Sequence, residues 1–145
     1  MRAARLLRRG THGLVRLAHT GTATSLITDL TMGLYLGWVS VATLANIAAF
    51  LTVADVGELG LGATAWSVIV LAAGSALSVA YAVFGRGRPS VIVPVGLAMA
   101  WGLAWIGLGR SNGPLVDGTV ATAALVAATI ALVTPIVTTL AARRR

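Results

Sequence analysis

The sequence predicts an all-α integral membrane protein, a four-helix bundle with both termini on the cytoplasmic side. Three observations carry that expectation. Of 145 residues, 57% are hydrophobic and 10% are charged, whereas a soluble domain carries about 25% charge; the mean hydropathy is +0.90. The charges fall in short patches and leave uncharged windows at 30–54, 59–85, 89–109 and 118–142. The 11 basic residues are all Arg, and they alternate between the segments that join these windows.

Each window is long enough to cross a bilayer. About 20 apolar residues at 1.5 Å rise span a hydrocarbon core of about 30 Å, and without water only a helix satisfies the backbone of such a segment internally. The predicted spans are 30–54, 62–85, 89–109 and 118–142, forming a domain over 26–145 behind a basic arm at 1–25. The windows occupy most of the chain, which leaves no room for a soluble catalytic domain. The expectation is a protein that is not an enzyme.

The arm carries Arg2, Arg5, Arg8, Arg9 and Arg16 without any acid before Asp29. Arg2, Arg5, Arg9, His12 and Arg16 share one arc of a helical wheel, with Ala3, Leu7 and Leu14 roughly opposite. This is the pattern of an amphipathic helix lying on a membrane surface, although Gly10 and Gly13 weaken it. An Arg-rich, acid-free segment with Ser and Thr also fits an organellar targeting peptide.

Orientation follows from arginine placement. The arm, the segment after the second window (Arg86, Arg88) and the tail (Arg143, Arg144, Arg145) lie on one side, and Arg110 alone lies with Asp55, Glu58 and Asp117 on the other. Basic residues accumulate on the cytoplasmic side, so the expected location is the cell membrane, multi-pass, in a bacterial inner membrane. The net charge of +7 then reports topology and contact with anionic headgroups. It calls for no nucleic acid.

Motifs for chemistry are absent. His12 and His19 stand in the arm, there is no cysteine, and no metal-ligand spacing occurs. Gly60, Gly62 and Ala65 have dinucleotide-fingerprint spacing but follow an acidic segment, not a strand. Asp29 is read as favoured by the dipole of the helix it opens. A proton-coupled exporter would carry a carboxylate at mid-membrane, and no window holds one. A small exporter is therefore the third reading.

Small residues recur at four-residue spacing: Gly33/Gly37, Gly74/Ser78 and Gly96/Ala100/Ala104. Such rows let backbones approach closely in lipid, and Thr122, Thr129 and Thr134 are expected to add interhelical hydrogen bonds. Pro94 and Pro135 lie inside predicted spans, where each removes a backbone hydrogen bond. Trp66 and Tyr81 are placed in the interfacial belt.

The first window is the most informative. At 100° per residue, Tyr35, Trp38, Val39, Ala42, Asn46, Ala49 and Phe50 fall within about 60° of one another's common face, with Gly33, Gly37 and Ser40 opposite. Asn46 requires a hydrogen-bond partner, because an unpaired amide in hydrocarbon is costly; an interhelical Ser or Thr, or a ligand, would supply it. Trp101 and Trp105 stand one turn apart on the third span and offer flat faces for stacking.

The run from Leu34 to Asn46 resembles the final helix of the tryptophan-rich sensory (TspO-like) family, which carries Pro-Tyr-x-x-Trp-x-x-Phe-Ala-x-x-x-Asn. Tyr35, Trp38, Ala42 and Asn46 match it, while Leu34 and Val41 replace the Pro and the Phe. The resemblance is confined to this helix. It implies a pocket for porphyrins or other flat hydrophobic ligands, with Tyr35, Trp38, Ala42 and Asn46 as contacts and Trp101 and Trp105 as added stacking faces. No cofactor is implied beyond such a ligand. Family members have five helices, so the chain reads as the rear part of a longer relative, and its pocket would be completed by a homo-oligomer or a partner membrane subunit. The alternative from another class is a structural or accessory subunit of a larger membrane complex.

Overall fold

The computed structural model describes the backbone of residues 2–53 and 60–144, with side chains described at 21–50 and 60–144. The described chain is four helices: α1 (Arg2–Val53), α2 (Ala63–Phe84), α3 (Pro89–Asn112) and α4 (Gly118–Arg143). All four contain segments long and apolar enough to cross a membrane, the one in α1 being Gly21–Phe50. The protein is a multi-pass membrane protein with an all-helical fold. The arm and the first span are one continuous helix, so Gly10 and Gly13 do not break it. The amphipathic arc of Arg2 to Arg16 lies outside the residues whose side chains are described.

α3 is the centre of the bundle. It packs against α1 on one side and α4 on the other, while α2 packs mainly on α4. The α1–α3 contact is made by the predicted glycines. A Cβ on Gly33 would stand 2.5 Å from the Val91 carbonyl oxygen, and one on Gly37 would collide with the Val95 carbonyl and with Ala98. Further along, Gly102 of α3 lies against Val41 of α1. The two helices run parallel in register, with Asp29 of α1 level with Ser90 at the start of α3.

Gly96 performs the same role between α3 and α4. Its missing Cβ would lie 2.5 Å from both the Ala131 carbonyl oxygen and Pro135 Cγ. Pro135 has no N–H to give to the carbonyl four residues earlier, which is that of Ala131. The Gly96 backbone thus covers an acceptor that α4 itself leaves unpaired, a setting for a Cα–H to oxygen contact. The interior is built of Val95, Met99 and Leu103 from α3 with Ala124, Ala127 and Ala131 from α4. α4 contributes small side chains to this interior and α3 larger ones, while many other large apolar side chains face outward, as expected where lipid is as apolar as leucine.

Polar ties between helices fall at three levels. At the end where α1 meets the start of α3, Asp29 accepts from Ser90 Oγ at 2.6 Å and pairs with Arg88 at 3.5 Å. The carboxylate therefore serves the N-terminus of α3, not that of its own helix, because α1 begins far upstream. Midway, Ser40 Oγ and Tyr81 Oη of α2 are 3.1 Å apart, so Tyr81 is a cross-link between α1 and α2 where a belt residue was expected. At the opposite end, Thr64 Oγ1 of α2 donates to Asp117 Oδ2 at 2.6 Å. Asp117 also caps α4, its Oδ1 accepting from the backbone N–H groups of Thr119 and Val120 at 3.0 and 3.1 Å. The expected interhelical bonds of Thr122, Thr129 and Thr134 are not made. Each hydroxyl donates to the carbonyl four residues back in α4, a local partner that a helical Thr reaches without help.

Two predictions follow from this packing and capping. Gly37→Ala lowers unfolding free energy by about 1–3 kcal/mol through overpacking against a backbone carbonyl. Gly21→Ala, on the same helix with open space around it, is neutral or gains up to about 1 kcal/mol of helix propensity. Denaturation by sodium dodecyl sulfate measures both, and equal effects at the two positions would refute the close α1–α3 approach. The second concerns Asp117, whose carboxyl is held below the usual range first by the Thr64 hydroxyl, then by the α4 backbone N–H groups and by Arg110. A lowered native pKa contributes stability that is complete above the unfolded value of about 3.9 and is lost as pH falls through the native one. The melting temperature of the wild type should therefore fall more steeply below about pH 4 than that of Asp117→Ala.

Candidate functional site

Because α1 packs on α3 and α2 on α4, α1 and α2 touch each other little. They meet at Ser40 and Tyr81, and again where Leu44 Cδ1 approaches Gly74. Beyond those contacts they diverge toward the end that carries Asp117. The space between them is a cavity of about 860 Å³, within the range of about 300–1,000 Å³ typical of small-molecule sites.

Its walls are apolar. From α1 come Val41, Leu44, Ala45, Ala48 and Ala49; from α2, Ala63, Trp66, Ser67, Val70 and Leu71. α3 adds Leu103, Ile106, Gly109 and Arg110, and the segment leading to α4 adds Pro114, Leu115 and Val120. Val41, Leu71, Leu103 and Val120 are buried; the first three lie away from the helix ends, and Val120 stands in the first turn of α4 beside Asp117. Trp66 and Ser67 stand in the first turns of α2, and Arg110 in the last turn of α3. A second, shallower depression of about 510 Å³ lies at the other end, beside Gly21, Ser25, Asp29 and Ser90.

The residues singled out from sequence do not line this cavity. Tyr35 is 66% exposed, Trp38 56%, Trp101 62% and Trp105 57%. Ala42 is half-buried and Asn46 is exposed. On the α1 wheel, the row Tyr35, Trp38, Ala42 and Asn46 is turned by about 100° from the row that faces the cavity. On α3, Trp101 and Trp105 lie roughly opposite Leu103. These two do come together, with ring centroids 5.7 Å apart at an interplanar angle of 75°, an edge-to-face pair. No described residue hydrogen-bonds the Asn46 side chain. It stands two turns before the end of α1 at Val53.

Among the lining residues that the sequence reading did not assign to a site, Trp66 and Arg110 carry the most chemistry. Trp66 was assigned to the interfacial belt, and Arg110 was counted only as a loop charge. The available signal was the isolation of Arg110, the one arginine away from all the others. Its Nη1 donates to the Leu115 carbonyl at 3.5 Å, and it forms no ion pair among the described residues, where the recorded pair is Arg88 with Asp29.

Comparison with curated proteins and with solved structures gives no match. A family model described as TSPO-like protein matches residues 9–137. The likeness read from the first span alone thus extends through all four helices, and the chain belongs to the TSPO-like protein family.

Proposed function

We propose that this protein is a non-enzymatic membrane binder that holds a hydrophobic or tetrapyrrole-like molecule in the cavity between α1 and α2. The observation that carries the reading is the cavity itself: about 860 Å³, walled by Ala, Val and Leu, with Trp66 on one side. Ala45, Ala48 and Ala49 leave room where larger side chains would close the gap, and Trp66 offers a face for stacking. Family membership supports a role inside a membrane. The arginine-rich side holds Arg86, Arg88, Arg143 and Arg144, and the cavity opens toward the side of Asp117; on the rule that basic residues stay inside, both termini are cytoplasmic and the cavity faces outward across a bacterial inner membrane.

A second reading keeps the outer aromatic face of Tyr35, Trp38, Ala42 and Asn46, with Trp101 and Trp105, as the binding surface. Its support is the exposure of these large side chains. That surface would receive a flat ligand from the lipid, a second copy of the chain, or a partner subunit of a larger complex.

Titration of protoporphyrin IX into the protein in phosphatidylcholine nanodiscs, followed by tryptophan fluorescence, separates the two. Filling the cavity with Ala45→Leu together with Ala48→Leu should weaken binding at least about tenfold, the loss of a pocket worth more than 1.4 kcal/mol. Trp38→Ala with Asn46→Ala should leave affinity unchanged. The reverse pattern would move the site to the outer face, and absence of saturable quenching in the wild type would reject binding altogether.

A further inference from the structure

The cavity has two chemically different ends, and this difference specifies its occupant further than shape alone. Its inner end is Val41, Leu71 and Leu103, all buried and all apolar. Its rim carries Arg110, half-buried in the last turn of α3. A guanidinium presents five N–H donors, yet the recorded bond of Arg110 is one contact of 3.5 Å to the Leu115 carbonyl, the outer limit of hydrogen bonding.

The acid closest in sequence does not neutralise it. Asp117 Oδ1 accepts from two backbone N–H groups of α4, and Oδ2 accepts from Thr64. The Asp117 carboxylate is thereby oriented to cap α4 and hold α2, and it forms no ion pair with Arg110. Arg110 does interact with it through space and gains from the C-terminal dipole of α3, which explains why the cation is tolerated there. Neither interaction occupies its donors. On the same rim α2 begins at Ala63 with no side-chain cap on its first N–H groups.

We propose that the ligand is an acidic amphiphile: an apolar chain or ring body in the inner cavity, with a carboxylate held at the rim by Arg110. The inference rests on the cavity reading above and adds the charge and direction of the occupant. Among the described residues, nothing else would match the guanidinium beside a neutral molecule of the same shape. An acid completes a charge-assisted pair in a partly desolvated setting, where such bonds are stronger than neutral ones.

The test uses 9,10-dibromostearic acid and its methyl ester, whose bromines quench tryptophan by proximity, added at pH 8 to the full chain in phosphatidylcholine nanodiscs. The wild type should bind the acid about tenfold more tightly than the ester, the effect of one hydrogen-bonded ion pair. Arg110→Gln should remove that preference while leaving ester binding in place, and Arg110→Lys should restore part of it. Trp66→Phe should remove most of the saturable quenching, because Trp66 is the tryptophan on the cavity wall. Equal affinity for acid and ester in the wild type, unchanged in Arg110→Gln, would overturn the charge inference and leave the cavity reading standing. Quenching by neither compound beyond protein-free partitioning would overturn both. Full quenching after Trp66→Phe would place the acyl chain on the outer tryptophans and overturn the proposed site.

Discussion

In hydrocarbon, a leucine gains nothing by leaving lipid for a helix interface, so helices associate through short-range dispersion and backbone contact. The bundle depends on that constraint. Gly33 and Gly37 let α1 rest on the carbonyl row of α3, and Gly96 lets α3 rest on the Ala131 carbonyl that Pro135 has freed. Each contact would be lost to a single methyl group. α3 is thereby fixed between α1 and α4, and α2 is left to pack on α4. The gap between α1 and α2 is the geometric remainder: two helices bound to different partners, tied together at Ser40 and Tyr81 and diverging beyond that level. The cavity is thus a consequence of which helices carry glycine rows and which do not.

Much of the framework was legible because lipid imposes simple rules on sequence. Long uncharged windows located the spans, and spacing of small residues marked packing faces on α1 and α3, whose partner helices the structure supplies. Gly74 and Ser78 are buried on α2 as that spacing implied. Asp29, read from sequence as standing just before the first span, lies inside the continuous helix α1; its carboxylate is accommodated there by Ser90 and Arg88, partners that local sequence does not reveal. Tyr81 was missed for the same reason. Its hydroxyl is satisfied by Ser40, which is 41 positions away in the chain.

The face that lines the cavity was less legible. In a water-soluble helix the aromatic face is the buried one, because burial of apolar area drives folding. In a bilayer that sorting disappears. The aromatic row of α1 is exposed, and the alanine row at 45, 48 and 49 faces the cavity. The wheel correctly separated a small-residue side from an aromatic side, but the cavity lies on neither extreme. It lies about a quarter turn from Tyr35 and Trp38, where residues are small enough to leave space without being close enough to pack. The family motif singled out Tyr35, Trp38, Ala42 and Asn46 as a unit, and in this structure that unit is an outer surface.

The charge pattern and the cavity belong to one electrostatic arrangement. Asp117 is committed to α4 and Thr64, so the rim keeps a cation without a matched anion among the described residues. The opposite end of the bundle keeps Asp29 paired with Arg88 and Ser90. An isolated charge cannot be drawn into the inner cavity, where Val41, Leu71 and Leu103 offer no hydrogen bond and desolvation is costly. On the proposed reading, a guest bearing a charge would therefore be oriented before specific contacts form: its apolar part would go toward the bundle centre, and its charged part would stay at the rim beside Arg110. A guest with two charged ends would have to bury one of them. A binder of this kind would discriminate by where charge is allowed to sit, with the walls supplying room and the rim supplying direction.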